Sequence, residues 1–435
     1  MAGRKALRGD PLTTTALLGF SAYFLLPLFG LAVWRLEGVR RLDLGARIAI
    51  AAAAGAIIVP IVLASLTIAG VEWSRASVFA ALGIVAATSF VAIRGKASPP
   101  RVRASRAALA AICVIAVVII YGLLTARMTA GDLHFFWGPK AILYFHTGGV
   151  TLASLKSTVH AYMNPDYPLL VPLVNVWSIT VARQFSFWGA LLASGIFLFG
   201  SVAVVRSASG EDAVAVFMAA ALGYTAAKGC VPGGAEPVLL LFETIALCAL
   251  TFIDDERTRT ILAALSLAGA AATKIEGATF AIAVVLAILI VKRDVKRALF
   301  AGAPAALVVV GWLIFVKSNG ISVVYHAGAM PIYIEVLPRT ILEMVKVAAY
   351  GIYWLPWLAA IALIALGSPR RAAFPIAVAI LTTGATVFFY IHSPDPALWI
   401  AASGPRVFMT PLCCLLIAAA AARSPLRSLA ADPSS

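Results

Sequence analysis

The chain has 435 residues, 62% of them hydrophobic and only 12% charged, and a formal net charge of +15. A composition this apolar, with a mean hydropathy of +0.97, excludes a single water-soluble core and points to a polytopic membrane protein. The Lys and Arg residues are spread over short loops instead of one soluble face, which argues against a nucleic-acid partner.

A membrane-crossing helix needs roughly 20 mostly apolar residues, and about 13 runs near that length follow one another. In chain order they are 14–34, 48–70, 77–93, 107–125, 187–205, 213–227, 236–252, 261–273, 278–291, 298–316, 344–366, 374–390 and 407–422. The expected fold class is all-α: a polytopic transmembrane helical bundle with interfacial helices in its outer loops. Arg4, Lys5 and Arg8 precede the first run, which is long for a cleaved signal and lacks a clear small-residue cleavage site. It is therefore expected to remain as an uncleaved anchor.

Basic clusters at 94–106, Arg206, Arg257 and Arg259, 292–297, Arg370 and Arg371, and Arg423 and Arg427 fall on every second loop. The positive-inside bias makes those loops cytoplasmic. This alternation requires that 168–183 does not cross but forms a short re-entrant or surface helix. It also sets the N-terminus outside, against the pull of its own three basic residues.

The opposite face then carries the chemistry. All five histidines (His134, His146, His160, His326 and His392) fall there, with Asp132, Asp166, Glu236, Glu276, Glu335 and Asp395. Headgroup-level anchoring accounts for any single Trp, Tyr or His. It does not account for these six acids together with all five histidines on one side.

Three outer segments are longer than turns. The first, 127–183, contains Gly131-Asp132-Leu133-His134-Phe135-Phe136-Trp137-Gly138-Pro139-Lys140 and then Asn164-Pro165-Asp166-Tyr167-Pro168, whose prolines make a rigid lead into an apolar stretch. The second, 317–343, carries His326, Tyr333, Glu335 and Arg339, and the third, 391–406, carries His392, Asp395, Trp399 and Arg406. Loops of this length are functional or disordered more often than idle, and their aromatic content argues against disorder.

Two short corners complete the set. Residues 228–237 end on Ala235-Glu236-Pro237, where the helix dipole favours a carboxylate, so capping alone competes with a functional role for Glu236. Thr273-Lys274-Ile275-Glu276-Gly277 places a lysine and an acid in an apolar hairpin, a costly arrangement unless the charges are paired, hydrated or functional. On a regular helix two residues at this spacing do not face each other.

The order of Asp132 with Trp137 and Lys140, Pro165-Asp166-Tyr167-Pro168, Ala235-Glu236-Pro237, Thr273-Lys274-Ile275-Glu276-Gly277, and Trp399 with Ser403 and Arg406-Val407 resembles the GT-C superfamily of membrane glycosyltransferases. Within it the chain is most similar to the bacterial dolichyl-phosphate-mannose protein mannosyltransferase-like branch. The resemblance covers roughly 107–435 as a catalytic module and leaves 1–106 as an N-terminal transmembrane extension. It departs from the pattern at Asn164, often His in such relatives, and at Glu236, more often Asp.

The resemblance implies transfer of a sugar from a polyprenyl-phosphate donor to a lipid, glycan or protein acceptor at the extracytoplasmic face of a bacterial cytoplasmic membrane. Asp132 matches the acid that serves the acceptor, and a carboxylate that takes the hydroxyl proton contributes about 10² to 10⁴ in rate. Lys140, Lys274 and Arg406 are the cations expected at the donor phosphate, with Lys228 and Arg339 behind them. Trp137, Tyr167 and Trp399 are expected to stack on sugar or to anchor at the interface, and Asp166, Glu236 and Glu276 to position substrate. One-step attack inverts the anomeric centre; a covalent route needs a second carboxylate, for which Glu236 is available.

Asp132, His134, His146, Asp166 and Glu236 offer ligands to a divalent ion without a recognised ligand spacing, which leaves that ion open as the one cofactor considered. No dinucleotide fingerprint or Walker loop is present, against a nucleotide sugar as direct donor. The competing class is a transporter or flippase. Its best residue is Glu243, about two turns into its helix.

Overall fold

Every regular element is helical in the computed structural model, which describes residues 14–94, 106, 109–111, 113–117, 121, 131–227, 234–321, 331–349 and 354–424. The principal helices are α1 (Thr14–Phe24), α2 (Leu44–Ile68), α3 (Arg75–Ile93), α4 (Gly138–His146), α5 (Leu170–Ala182) and α6 (Phe187–Ser209). They continue as α7 (Asp212–Ala227), α8 (Glu236–Phe252), α9 (Glu256–Thr273), α10 (Ile275–Ala287) and α11 (Val295–Ser318). The last are α12 (Leu337–Ala349), α13 (Trp354–Ala365), α14 (Pro369–Tyr390), α15 (Pro396–Val407) and α16 (Met409–Arg423).

By length and composition, eight helices among the described residues can cross a membrane, or up to nine if the bent pair at 334–365 is one span. The chain is thus an integral membrane protein. This count is lower than the about 13 runs expected from hydropathy. The helices α7 and α8 stop at 16 and 17 residues, and Glu256, Arg257 and Arg259 put three charges into the 18 residues of α9. The run expected at 344–366 is divided between α12 and α13, which bend by 92°, and most of 107–125 lies outside the described residues.

Side-chain caps start several of these helices. Ser74, Ser186, Asp255 and Asp294 accept from the backbone N–H groups of Ser77, Gly189, Thr258 and Arg297 at 2.8–3.1 Å, satisfying donors that the first turn leaves unpaired. Packing inside the bundle relies on small residues, as expected where lipid tails are as apolar as the helices. Ala51, Ala52, Ala53, Ala54 and Ala56 are all buried on α2, as are Ala418 to Ala422 on α16.

The bundle has two chemically different ends. At one, Arg206 pairs with Asp43 (2.6 Å) and Asp212 (2.9 Å), Arg297 pairs with Glu256 (3.1 Å), and Arg371 donates to the Ser424 carbonyl (2.8 Å). The basic loops at Arg206, 292–297, Arg370 and Arg371, and Arg423 collect here. At the other end Lys274 pairs with Glu236, Arg406 pairs with Asp132, and the Trp312 indole donates to the Asp166 carbonyl at 2.6 Å. The helix α1 begins at this second end, where Gln184 donates to the Thr15 hydroxyl at 2.8 Å.

The helix α5 has 13 residues, so it is about 20 Å long, too short for a hydrocarbon core of about 30 Å. It runs antiparallel to α1, with Tyr23 donating to Asn175 (2.5 Å), the Trp177 indole to the Ala22 carbonyl (2.8 Å) and Ser178 to the Gly19 carbonyl (2.9 Å). The chain is thereby returned to the end where α6 starts. Twelve of its residues are buried, so it lies in the interior of the bundle and not on its surface. These contacts also bind the N-terminal helices into the same hydrophobic core as the remainder.

Gly277 sets the corner between α9 and α10. A Cβ there would lie 1.9 Å from the Ala270 carbonyl oxygen, so only glycine lets the two helices approach this closely. Gly277→Ala is expected to displace the first turn of α10, with Lys274 and Glu276, and to destabilise by about 1–3 kcal/mol. Thermal unfolding in detergent measures this, and an unchanged midpoint would refute it.

Candidate functional site

Four helices, α8, α10, α14 and α16, converge on a cavity of about 190 Å³, roofed by the segment around Asp132 and by Tyr167. Asp132 leads into a widened π-helical turn, Leu133–Trp137, a geometry that occurs mostly at functional sites. Trp399, Ser403 and Arg406 also line the cavity, and their spacing of four and three residues puts them on one face of α15.

A continuous ionic network crosses the mouth. Arg406 bonds to Asp132 Oδ2 through Nη1, which also lies 3.8 Å from Glu236 Oε1; that oxygen accepts from Lys274 Nζ at 3.0 Å. Lys274 also lies 3.0 Å from Glu276 Oε1. The two-residue spacing permits this contact because Lys274 is extended (φ −161°, ψ 164°), outside either helix, so the helical rule does not govern it. With three acids and two cations, the network carries one net negative charge when all five groups are ionised. Burial raises the Asp132 carboxyl above the usual carboxylate range, reinforced by Glu236 and opposed by Arg406 and Lys274. Asp132 Oδ1 has no hydrogen-bond partner among the described residues and stands open to a ligand hydroxyl.

Of the residues expected from sequence, Asp132, Trp137, Tyr167, Glu236, Lys274, Glu276, Trp399 and Arg406 all line this one cavity. Lys140 and Asp166 do not. Lys140 is buried behind the aromatic wall, its Nζ 5.6 Å from the Trp137 ring and 5.9 Å from the Tyr167 ring, and it donates to the Asn164 carbonyl at 2.6 Å. Asn164 takes a left-handed conformation (φ 52°) that asparagine tolerates, and so turns the chain into Pro165. Lys140 therefore secures the Asn164–Tyr167 turn; it is not placed to meet a phosphate in the cavity. Asp166 is buried with it, away from the cavity lining.

Burial pushes the Lys140 amine down to about 7 from its ordinary 10.5, and Asp166 opposes that shift. Between about 7 and 10.5 the unfolded chain binds more protons at this site than the folded one, so stability rises with pH across that window. Below it both states carry the proton and the cost of burying the ammonium is fully present. Lys140→Met is expected to flatten this rise, read from unfolding midpoints between pH 7 and 10. An undiminished slope would refute it.

The remaining expectations fall elsewhere. Arg339 pairs with Asp395 at 3.1 Å on the exposed surface, both outside the cavity lining. His134 stacks on Phe187 at 3.8 Å between ring centroids, and Lys228 and His326 lie outside the described residues. Among the described residues no group of three His, Cys, Asp or Glu side chains is gathered in a way that could hold a metal ion.

Several lining residues were not singled out from sequence. Tyr390 bonds to Ser403 at 2.8 Å, and with Thr386 and Thr382 it forms a polar stripe at four-residue spacing on α14. That stripe, inside an otherwise apolar run, was the available signal. Glu243, singled out from sequence for the transporter reading, also lines the cavity, with both carboxyl oxygens within 2.8–2.9 Å of the Thr410 hydroxyl. No family model, curated protein or solved structure matches the chain.

Proposed function

We propose that this protein is a GT-C-like membrane glycosyltransferase that moves a sugar from a polyprenyl-phosphate donor to a lipid, glycan or protein acceptor, with its site on the extracytoplasmic side of a bacterial cytoplasmic membrane. The observation that carries the reading is the meeting of Asp132, Glu236, Lys274 with Glu276, and Arg406 at one cavity mouth, from segments far apart in the chain. In this reading α7, α8, α9, the bent pair and 107–125 also cross, which with the eight long helices makes the about 13 expected spans.

In the proposed step the acceptor hydroxyl attacks the anomeric carbon while its proton passes to Asp132 Oδ1. The bond from that carbon to the phosphate oxygen breaks, and its electron pair leaves with the phosphate. Arg406 and Lys274, both largely buried, meet the developing charge through charge-assisted hydrogen bonds. Single displacement inverts the anomeric centre. Trp399, 42% exposed at the rim, is the aromatic surface best placed to receive an acceptor.

The test is transfer of radiolabelled sugar from a mixture of polyprenyl-phosphate sugars to a membrane extract by purified protein. Absence of transfer with every donor and acceptor class would overturn the reading. The depth of the cavity, reaching Glu243 two turns below Glu236, favours one second reading, a transporter or flippase for a lipid-linked or small polar substrate. Movement of labelled lipid-linked sugar across vesicles, without transfer, would support it.

A further inference from the structure

The cavity continues below the ionic network. Along α8 it runs from Glu236 to Glu243, about 10 Å, and along the last helices from Arg406 to Thr410, about 6 Å. Its lower part is lined by Glu243, Thr279, Thr382, Thr386 and Thr410, among Leu240 and Phe280.

The hydroxyl hydrogens of these threonines are already committed. Thr279 donates to the Ile275 carbonyl (3.3 Å), Thr382 to Val378 (2.8 Å) and Thr386 to Thr382 (2.9 Å), while Thr410 donates to Glu243. What each presents to the cavity is oxygen lone pairs. Glu243 is 2% exposed, and among the described residues its two carboxyl oxygens share the one Thr410 hydroxyl. The floor therefore offers acceptors in excess of donors. A polyprenyl tail supplies no donor to such a surface, whereas a sugar ring supplies several. The whole cavity, mouth included, is about 190 Å³, room for about a dozen waters, which suits a ring and not a polyprenyl chain.

We propose that this lower chamber binds the hydroxyls of the transferred sugar, with Glu243 as the anchoring residue. The inference rests on the lipid-phosphate donor reading. With the phosphate at Arg406 and Lys274, the ring attached to it projects downward and its far hydroxyls reach Glu243 and Thr386. The acceptor approaches Asp132 from the mouth.

The experiment compares binding of farnesyl phosphate with farnesyl phosphate carrying mannose, glucose or arabinose, by titration calorimetry on wild type, Glu243→Gln and Thr386→Val, each checked for a monodisperse fold in detergent. Wild type is expected to bind at least one sugar-bearing lipid more tightly than the bare one. Glu243→Gln is expected to weaken that binding about tenfold or more, and Thr386→Val less, with bare farnesyl phosphate unchanged. Equal wild-type affinity for bare and sugar-bearing lipids would overturn the sugar chamber and leave the donor reading standing. So would equal losses for both lipids in the variants, or no loss for either. Binding of no lipid phosphate by wild type would overturn the donor reading and this inference with it. Thr386→Val keeps the test decisive if Glu243→Gln does not fold.

Discussion

Asp132→Asn is expected to lower the rate of sugar transfer by about 10² to 10⁴, the usual worth of a positioned general base. Asparagine keeps the size of the side chain and an oxygen for Arg406, so the network at the mouth should survive while the proton acceptor is lost. The pH profile separates this role from a structural one. A base works only when deprotonated, and burial with the nearby Glu236 raises the Asp132 carboxyl, so wild-type transfer should rise with pH along a limb displaced above the ordinary carboxylate range. The residual transfer of the variant should lack that limb. Single-turnover transfer with labelled donor measures both, and equal rates for the two proteins would remove Asp132 from the mechanism.

Lys274→Met is expected to produce the largest loss of stability. Lys274 and Glu236 have side-chain exposures of 9% and 7%, and removing the lysine leaves a buried carboxylate without its closest counter-charge. Breaking such a pair from one side costs about 3–5 kcal/mol. The second contact adds little, because Glu276 is 36% exposed and screened by solvent. Adding Glu236→Gln to Lys274→Met removes the orphaned charge, so the double variant should recover much of the loss, a non-additivity expected of contacting groups. Thermal unfolding of the three proteins in one detergent decides this. An unperturbed single variant would show that the pair is already hydrated and contributes nothing to stability.

Much of the site was legible in the sequence, and for a common reason. An acid or lysine at the end of an apolar run is conspicuous, because its cost in lipid means that it is paired, hydrated or used. Asp132, Glu236, Lys274, Glu276 and Arg406 all stood out in this way and all reach the same cavity. Lys140 and Asp166 stood out equally, yet Lys140 is turned behind Trp137 and Tyr167 and Asp166 is buried outside the cavity lining. Their placement follows the π-helical turn and the left-handed Asn164, neither of which hydropathy registers. Thr382 and Thr386 were inconspicuous because a threonine bonded to its own helix is tolerated in any span.

Composition and the alternation of charge along the chain were enough to determine a membrane-embedded helical protein and the gathering of basic loops at one end of the bundle. These are properties of solvent transfer, which each segment expresses locally. The pairing of Arg406 with Asp132 across 274 residues, the interior course of α5, and the depth of a chamber floored by Glu243 were decided only by the tertiary structure. They depend on how each helix is rotated about its axis and which neighbour it meets. Van der Waals packing of small residues such as Gly277 settles that rotation, and no single segment contains it.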